Sequence, residues 1–180
     1  EVAKELCLNE EKFNIIHVSR LDKESSNVAK LLVGIFPVLK EKTDDQVQLT
    51  IVGDGDDFDN VRELAANEHD IIMTGLRTDV AEVLKCSNLF VGVSRAALEA
   101  MSCELPVILA GNPVYGQGFM GLFDETKKEQ AISTNFCCRD CEETSENSLL
   151  ESIMTVYHLN EEERETLGVY GRRVVKESYS

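Results

Sequence analysis

Residues 88–109, NLFVGVSRAALEAMSCELPVIL, constrain this chain more than any other stretch. Asn88 to Val93 is an apolar run of strand length and reads as a buried strand. It breaks at Ser94-Arg95. A short helix follows at Ala96-Ala97-Leu98-Glu99-Ala100-Met101, Pro106 ends the connection, and Val107-Ile108-Leu109 opens the next strand. Strand, tight turn, helix and strand make the unit of an open parallel sheet. Ligands of such sheets sit beyond the carboxyl ends of the strands, which is where Ser94 and Arg95 fall. The helix start offers unpaired backbone N–H groups and a partial positive charge suited to phosphate. Arg95 adds a full charge, and Glu99 lies one turn further on the same face. Two readings of the turn stand side by side. In one, Glu99 pairs with Arg95 on a solvated helix and Ser94 is only an N-cap. In the other, the turn cradles a phosphate and Glu99 accepts hydrogen bonds from a ribose.

The same alternation runs through the chain. Phe13 to Val18 is apolar throughout and reads as a strand buried on both faces. His17 lies inside it, a core histidine close enough to the strand end for a contact. The loop Ser19–Ser26 leads into a helix capped by Ser26 or Asn27. Val28, Leu31, Leu32, Ile35, Phe36 and Leu39 form its apolar stripe, and Pro37 kinks or ends it. Val47 to Val52 is the second strand. Gly53 and Gly55 at its carboxyl end permit unusual backbone angles or the close approach of a ligand; the plain alternative is a strand-to-helix turn. A helix over 58–67 and a strand over 70–73 follow, closed by Thr74-Gly75. Leu76-Arg77-Thr78-Asp79 then starts a helix with Val80, Val83 and Leu84 inward. After the strand Val107–Ala110, the glycine-rich loop 111–118 is of the kind that is functional or mobile. The tail reads as a short helix (127–133), a loop (136–141), an amphipathic segment (148–159) and a charged helix (161–177) whose Glu161-Glu162-Glu163 run is a solvated first turn. About five strands alternate with helices, which predicts an α/β, Rossmann-like open parallel sheet flanked by helices. Arg20, Gly53 with Gly55, Gly75 with Arg77, and Ser94 with Arg95 each follow a strand. Their sharing of one sheet edge favours the phosphate reading.

Composition narrows the partners. The 180 residues suit one domain with a full core, preceded by a polar lead-in over 1–12. Acidic residues outnumber basic ones, 33 to 18, for a net charge of -15, so nucleic acid is not expected as a partner. An anionic ligand requires local positive groups, and their scarcity makes each one at a strand end informative. No run has the length of a transmembrane helix, and no secretory signal is visible. Six cysteines without regular pairing read as reduced thiols of a cytoplasmic protein. Cys137, Cys138 and Cys141 cluster without an obvious fourth ligand, so no metal site is expected. The chain opens without Met and closes on no clear stopping signal, as a piece of a longer protein would.

These pieces resemble the C-terminal, donor-binding domain of family 4 GT-B glycosyltransferases (glycosyl transferases group 1). The matching residues are Val18-Ser19-Arg20-Leu21-Asp22, Leu49-Thr50-Ile51-Val52-Gly53-Asp54-Gly55, Met73-Thr74-Gly75, and Leu98-Glu99-Ala100-Met101-Ser102-Cys103-Glu104-Leu105-Pro106-Val107-Ile108. They occur in the family's order, over about residues 13–110. The resemblance implies a nucleoside-diphosphate-sugar donor as substrate, no cofactor or metal, and retaining transfer to an acceptor in glycan or polysaccharide biosynthesis. It implies that Arg20, with Lys23 or Arg95, stabilises the departing diphosphate, and that the N–H groups around Arg95 and Ala96 help. Glu99 matches the second Glu of the family's E-x7-E motif and would bind the ribose. Gly75-Leu76-Arg77 would border the nucleobase, and Gly53 and Gly55 would let the donor approach. The acceptor site would lie on an N-terminal domain absent here, to which any peripheral membrane attachment would also belong, so this half is expected to bind donor without turnover.

The sequence departs from the family pattern in three places. Val91 stands where the first Glu would fall, Ser94-Arg95 replaces a longer loop, and Ser25 replaces a Lys. The shortened form resembles a variant in bacterial members that also carries a later Asn-Phe and Arg, here Asn135-Phe136 and Arg139. The departures favour an alternative, a non-catalytic nucleotide-binding regulatory module of the same fold.

Overall fold

In the computed structural model, which describes residues 1–179, six strands form one sheet in the order β3-β2-β1-β4-β5-β6. The strands are β1 (Phe13–Val18), β2 (Val47–Val52), β3 (Ile71–Gly75), β4 (Leu89–Gly92), β5 (Val107–Ala110) and β6 (Phe119–Leu122). The first five run parallel, and β6 pairs antiparallel to β5. The helices are α1 (Val2–Glu5), α2 (Asn27–Lys42), α3 (Phe58–Leu64), α4 (Val80–Lys85), α5 (Ser94–Ser102), α6 (Lys128–Ser133), α7 (Glu146–His158) and α8 (Glu161–Tyr179).

The continuous apolar runs read from the sequence are buried on both faces. Every residue of β2, β4 and β5 is buried, as parallel strands between helix layers must be. Alternate residues feed two cores. Ile15, Leu49, Ile51, Val91 and Ile108 point to one face, under α2, α3 and α7. Ile16, Val52, Phe90, Val107 and Leu109 point to the other, with α4, α5 and Val174 of α8. The strand order reverses between β1 and β4, so their carboxyl ends part and open a crevice there.

Several elements differ from the sequence reading. The sixth strand, β6, escapes notice because four residues containing Gly121 show no strand periodicity; β5 supplies its pairing. The helix over 58–67 stops at Leu64, and the strand expected over 70–73 runs on to Gly75. Pro37 does not end α2, which continues to Lys42. The lead-in is not merely polar: α1 buries Ala3, and Glu5 reaches Arg77 at 2.8 Å. In α8, Glu163 is more than a solvated residue. It accepts from the Asn160 N–H while its own N–H donates to Asn160 Oδ1, a reciprocal cap.

The helix α8 crosses the turn between α5 and β5 at Gly168. A Cβ there would lie 1.9 Å from the carbonyl oxygen of Glu104, a backbone atom that cannot step aside. One turn on, a Cβ at Gly171 would meet Met101 Cγ at 3.4 Å, an ordinary contact with a flexible side chain. The two substitutions should therefore act in opposite directions. Gly168→Ala is expected to lower stability by about 2 to 3 kcal/mol through overpacking. Gly171→Ala is expected to be neutral or to gain up to about 1 kcal/mol from helix propensity. Urea unfolding of the two variants checks this.

Candidate functional site

Two adjoining cavities, of about 580 and 320 Å³, lie at the carboxyl edge of the sheet. They share Val18, Ser19, Arg20, Arg95 and Ala96, so they form one cleft along the crevice between β1 and β4. The larger part extends toward β5 and its following loop, the smaller toward β2 and β3. A cavity of about 630 Å³ elsewhere, on α8, is slightly larger. It is walled by Asp124, Glu125, Glu162 and Glu165 against a single Arg173, a field that repels anions.

The turn into α5 builds one wall of the cleft. Ser94 adopts φ 62°, a left-handed conformation that swings the chain from β4 into the helix. Such a residue costs on the order of 1 kcal/mol and persists only where its surroundings hold it. The holding contact comes from far along the chain: the Ser94 N–H donates to the Phe136 carbonyl at 2.7 Å. Phe136 is fully buried, at φ 60°. The Ala97 N–H turns back to Val93. Among the described residues, that leaves the N–H groups of Arg95 and Ala96 without acceptors at the start of α5. The Arg95 guanidinium is exposed and makes no ion pair or hydrogen bond among the described residues, and the Glu99 carboxylate makes none either. The solvated Arg95–Glu99 pair is therefore absent, and both groups face the cleft alone.

The opposite wall is the loop after β1. Arg20 is largely exposed, at 82% for its side chain, and pairs with Asp22 at 3.0 Å. Ser25 donates to the Arg20 carbonyl and accepts from the Asp22 N–H, so it shapes this loop. Gly53 brings the next loop against it. At φ 142°, a Cβ on Gly53 would sit 1.8 Å from the Ser19 carbonyl oxygen. A Cβ on Gly55 would lie 2.4 Å from the backbone of Leu21. These glycines thus let two loops touch; Gly53 lines the smaller cavity and Gly55 lines neither. Gly75 also stays outside the lining, while Leu76, 80% exposed, and Arg77 belong to it. Arg77 is already neutralised by Glu5 and bidentate Asp79, which hold it firmly protonated. Lys23 is exposed, lines neither cavity, and is tied through its backbone N–H to Asp56. Of the expected cationic pair, the structure brings Arg20 to the cleft with Arg95 rather than with Lys23. Position 91 lies inside β4, where Val91 is fully buried, so a Glu there would point into the core and not into the cleft.

Two segments named in the sequence have roles there that the sequence did not show. The loop after β5 contributes Asn112, Tyr115 and Gln117 to the larger cavity. Asn112 donates to the Glu24 carbonyl and accepts from Val114, which ties this loop to the one after β1. Only the glycine content of 111–118 marked it. The other is Phe136, whose role as a cap has no local sequence signature. Among the described residues no group of His, Cys, Asp or Glu converges to hold a metal ion, Cys137, Cys138 and Cys141 included.

Residues 12–132 match the family model described as glycosyl transferases group 1. The chain belongs to that family. It is 29% identical, over 63% of its length, to the alpha-monoglucosyldiacylglycerol synthase of Streptococcus pneumoniae. It is also 29% identical, over 60% of its length, to the N-acetyl-alpha-D-glucosaminyl L-malate synthase of Bacillus anthracis. These matches span 27% and 30% of the two relatives. Among solved structures it is similar to TarM of S. aureus, in complex with ligands that include UDP, with a TM-score of 0.70 at 20% identity over 96% of this chain and 33% of that one. It is likewise similar to HepE of Anabaena with UDP and glucose, with a TM-score of 0.68 at 17% identity over 99% of this chain and 47% of that one. These likenesses show a shared fold. A glycosyltransferase classification follows from the family.

Within the cleft, His17 is 3% exposed, and its Nδ1 lies 2.7 Å from the Val91 carbonyl. Burial pushes its imidazole down to about 4 from an ordinary 6.5, against the smaller raising effect of the Val91 bond. The sign of the pH effect follows. Above pH 6.5 the ring is neutral in both folded and unfolded chains. As pH falls through 6.5 toward 4, the unfolded chain takes a proton that the folded chain resists, so stability declines by up to about 3 kcal/mol. Asp57 acts only at lower pH: Lys30, Ser26 and Asn60 hold its carboxyl well below the usual range. Urea unfolding at pH 7.5, 6 and 5 should show the decline, and His17→Asn should flatten it across that window.

Proposed function

We propose that this chain is the donor-binding half of a retaining, metal-independent glycosyltransferase and binds a nucleoside-diphosphate-sugar in the cleft between β1 and β4. One observation carries the reading: two arginines on opposite walls, two free N–H groups at the start of α5, and an unpaired Glu99 one turn further all line the same cleft. A diphosphate across the shared floor would meet Arg20, Arg95 and the N–H groups of Arg95 and Ala96. The overall charge of -15 repels such an anion, so these local groups must supply the attraction. A helix terminus contributes about 0.3 to 1 kcal/mol at an exposed site, which leaves much of the work to the guanidinium groups. Glu99, an acceptor without a partner, suits the ribose hydroxyls of a nucleoside in the smaller cavity, beside Leu76. As the glycosidic bond to the diphosphate breaks, negative charge gathers on the leaving oxygen, where Arg20 and Arg95 stabilise it. Glycan or polysaccharide biosynthesis is the setting this chemistry fits.

An acceptor site is expected on a partner domain, so this half should bind without turning over. The placement of Lys23 outside the cleft makes the reading sharp. Calorimetric titration with UDP, GDP and ADP should give saturable binding of one of them without added metal. Arg20→Ala and Glu99→Ala should each weaken it about tenfold, while Lys23→Ala should change it by less than about twofold. Unchanged affinity in both the Arg20 and Glu99 variants would sink the proposal, and a nucleotide that binds only with magnesium would overturn its metal-independent part.

A further inference from the structure

Two residues that line the larger cavity, His17 and Ser19, carry buried polar groups that the donor site as described so far does not use. His17 lines this cavity, and its ring is fixed by the contact from Nδ1 to the Val91 carbonyl. A carbonyl only accepts, so Nδ1 carries the proton and Nε2 presents a lone pair. Nε2 is buried and has no partner among the described residues. Two residues on, Ser19 lines both cavities, and its hydroxyl oxygen is also buried without a partner. Folded proteins rarely leave such atoms unmatched, and a pair of them under one cavity points to what the cavity receives.

The chemistry of the pair selects the ligand. A phosphate oxygen has no proton to give to Nε2, and its charge is unwelcome beside a lone pair. A neutral hydroxyl can donate to Nε2 and accept from the Ser19 O–H at once. We propose that His17 Nε2, together with the Ser19 hydroxyl, binds a hydroxyl of the donor's sugar and so makes the larger cavity the sugar pocket. The inference rests on the donor-site reading and adds to it the residues that read the sugar. Beside them, the Asn112 amide is engaged by Glu24 and Val114, and Gln117 accepts from the Asn112 N–H through Oε1, which leaves its amide nitrogen for a second sugar hydroxyl. The low basicity of the buried ring keeps Nε2 an acceptor at neutral pH. His17 acts here as a specificity-determining contact.

The test separates this role from a structural one. The 180-residue chain is titrated with matched pairs: UDP and UDP-glucose, GDP and GDP-mannose, ADP and ADP-glucose. The nucleotide sugar of one pair should bind about tenfold more tightly than its nucleotide. His17→Asn keeps a donor for the Val91 carbonyl but removes the acceptor at the Nε2 position. It should leave nucleotide affinity within about twofold and abolish the sugar's advantage. His17→Gln places an amide oxygen near the Nε2 position and should restore part of that advantage. A structural role predicts the reverse order, with the Asn variant like the parent and the Gln variant impaired; that result overturns the proposal. If the variants fail to fold, the parent chain answers alone: the ¹⁵N resonance of His17 Nε2 should move on adding the nucleotide sugar and stay still on adding the nucleotide. No movement with either, in a chain that binds nucleotide, overturns this inference and leaves the donor site standing. No binding of any nucleotide brings down both.

Discussion

Backbone meets backbone where the loop after β2 crosses the loop after β1. No side chain fits between Gly53 and the Ser19 carbonyl, and none between Gly55 and Leu21. Hydrogen bonds close the contact: the Leu21 N–H donates to the Asp54 carbonyl and the Asp57 N–H to the Leu21 carbonyl at 2.7 Å. Beneath it the Asp57 carboxylate, almost wholly buried, gathers Lys30 at 2.7 Å, Ser26 and Asn60. A buried carboxylate is tolerable only with such partners. The first turns of α2 and α3 are thereby locked to each other, and Arg20 projects from a loop with little freedom. The position of one charged group in the cleft thus rests on two glycines and a buried aspartate that carry none of the cleft's charge themselves.

The two arginines reach the cleft from walls built in different ways. Arg20 stands on a loop fixed by neighbours close in space and moderately close in sequence. Arg95 stands on a helix start fixed by Phe136, a residue beyond the fifth and sixth strands. The crevice between β1 and β4 arises from strand order alone, because consecutive connections leave in opposite directions there. Local chemistry was therefore added to an opening that topology provides, as expected for a site grafted on a common fold.

Much of this was legible from residue order. The buried strands announced themselves because parallel strands between two helix layers need apolar residues on both faces, and FNIIHV and VQLTIV have them. The clustering of Arg20, Gly53, Arg77 and Arg95 at one edge followed from each lying just past a strand. What stayed hidden was set by contacts distant in sequence. The four residues of β6 form a strand only because β5 offers a free edge. Lys23 and Arg20 look alike in sequence, and only the path of the loop separates the one in the cleft from the one outside it. Arg77 reads as a free cation until Glu5 of the lead-in is found beside it. His17 reads as a core histidine close enough to the strand end for a contact, and only the fold shows that its Nε2 is buried without a partner among the described residues.

The hydrogen bond from Ser94 to Phe136 also bears on where this unit can be divided. The stretch that matches the family ends at residue 132, and it contains every strand and both arginines. A chain cut there would look complete by its sheet. It would lose the carbonyl that holds Ser94 in its left-handed turn and leave an empty space where the Phe136 ring packs against Phe123. The boundary of the recognisable motif and the boundary of the packed structure are therefore different places on the chain, and the Arg95 end of α5 depends on the second.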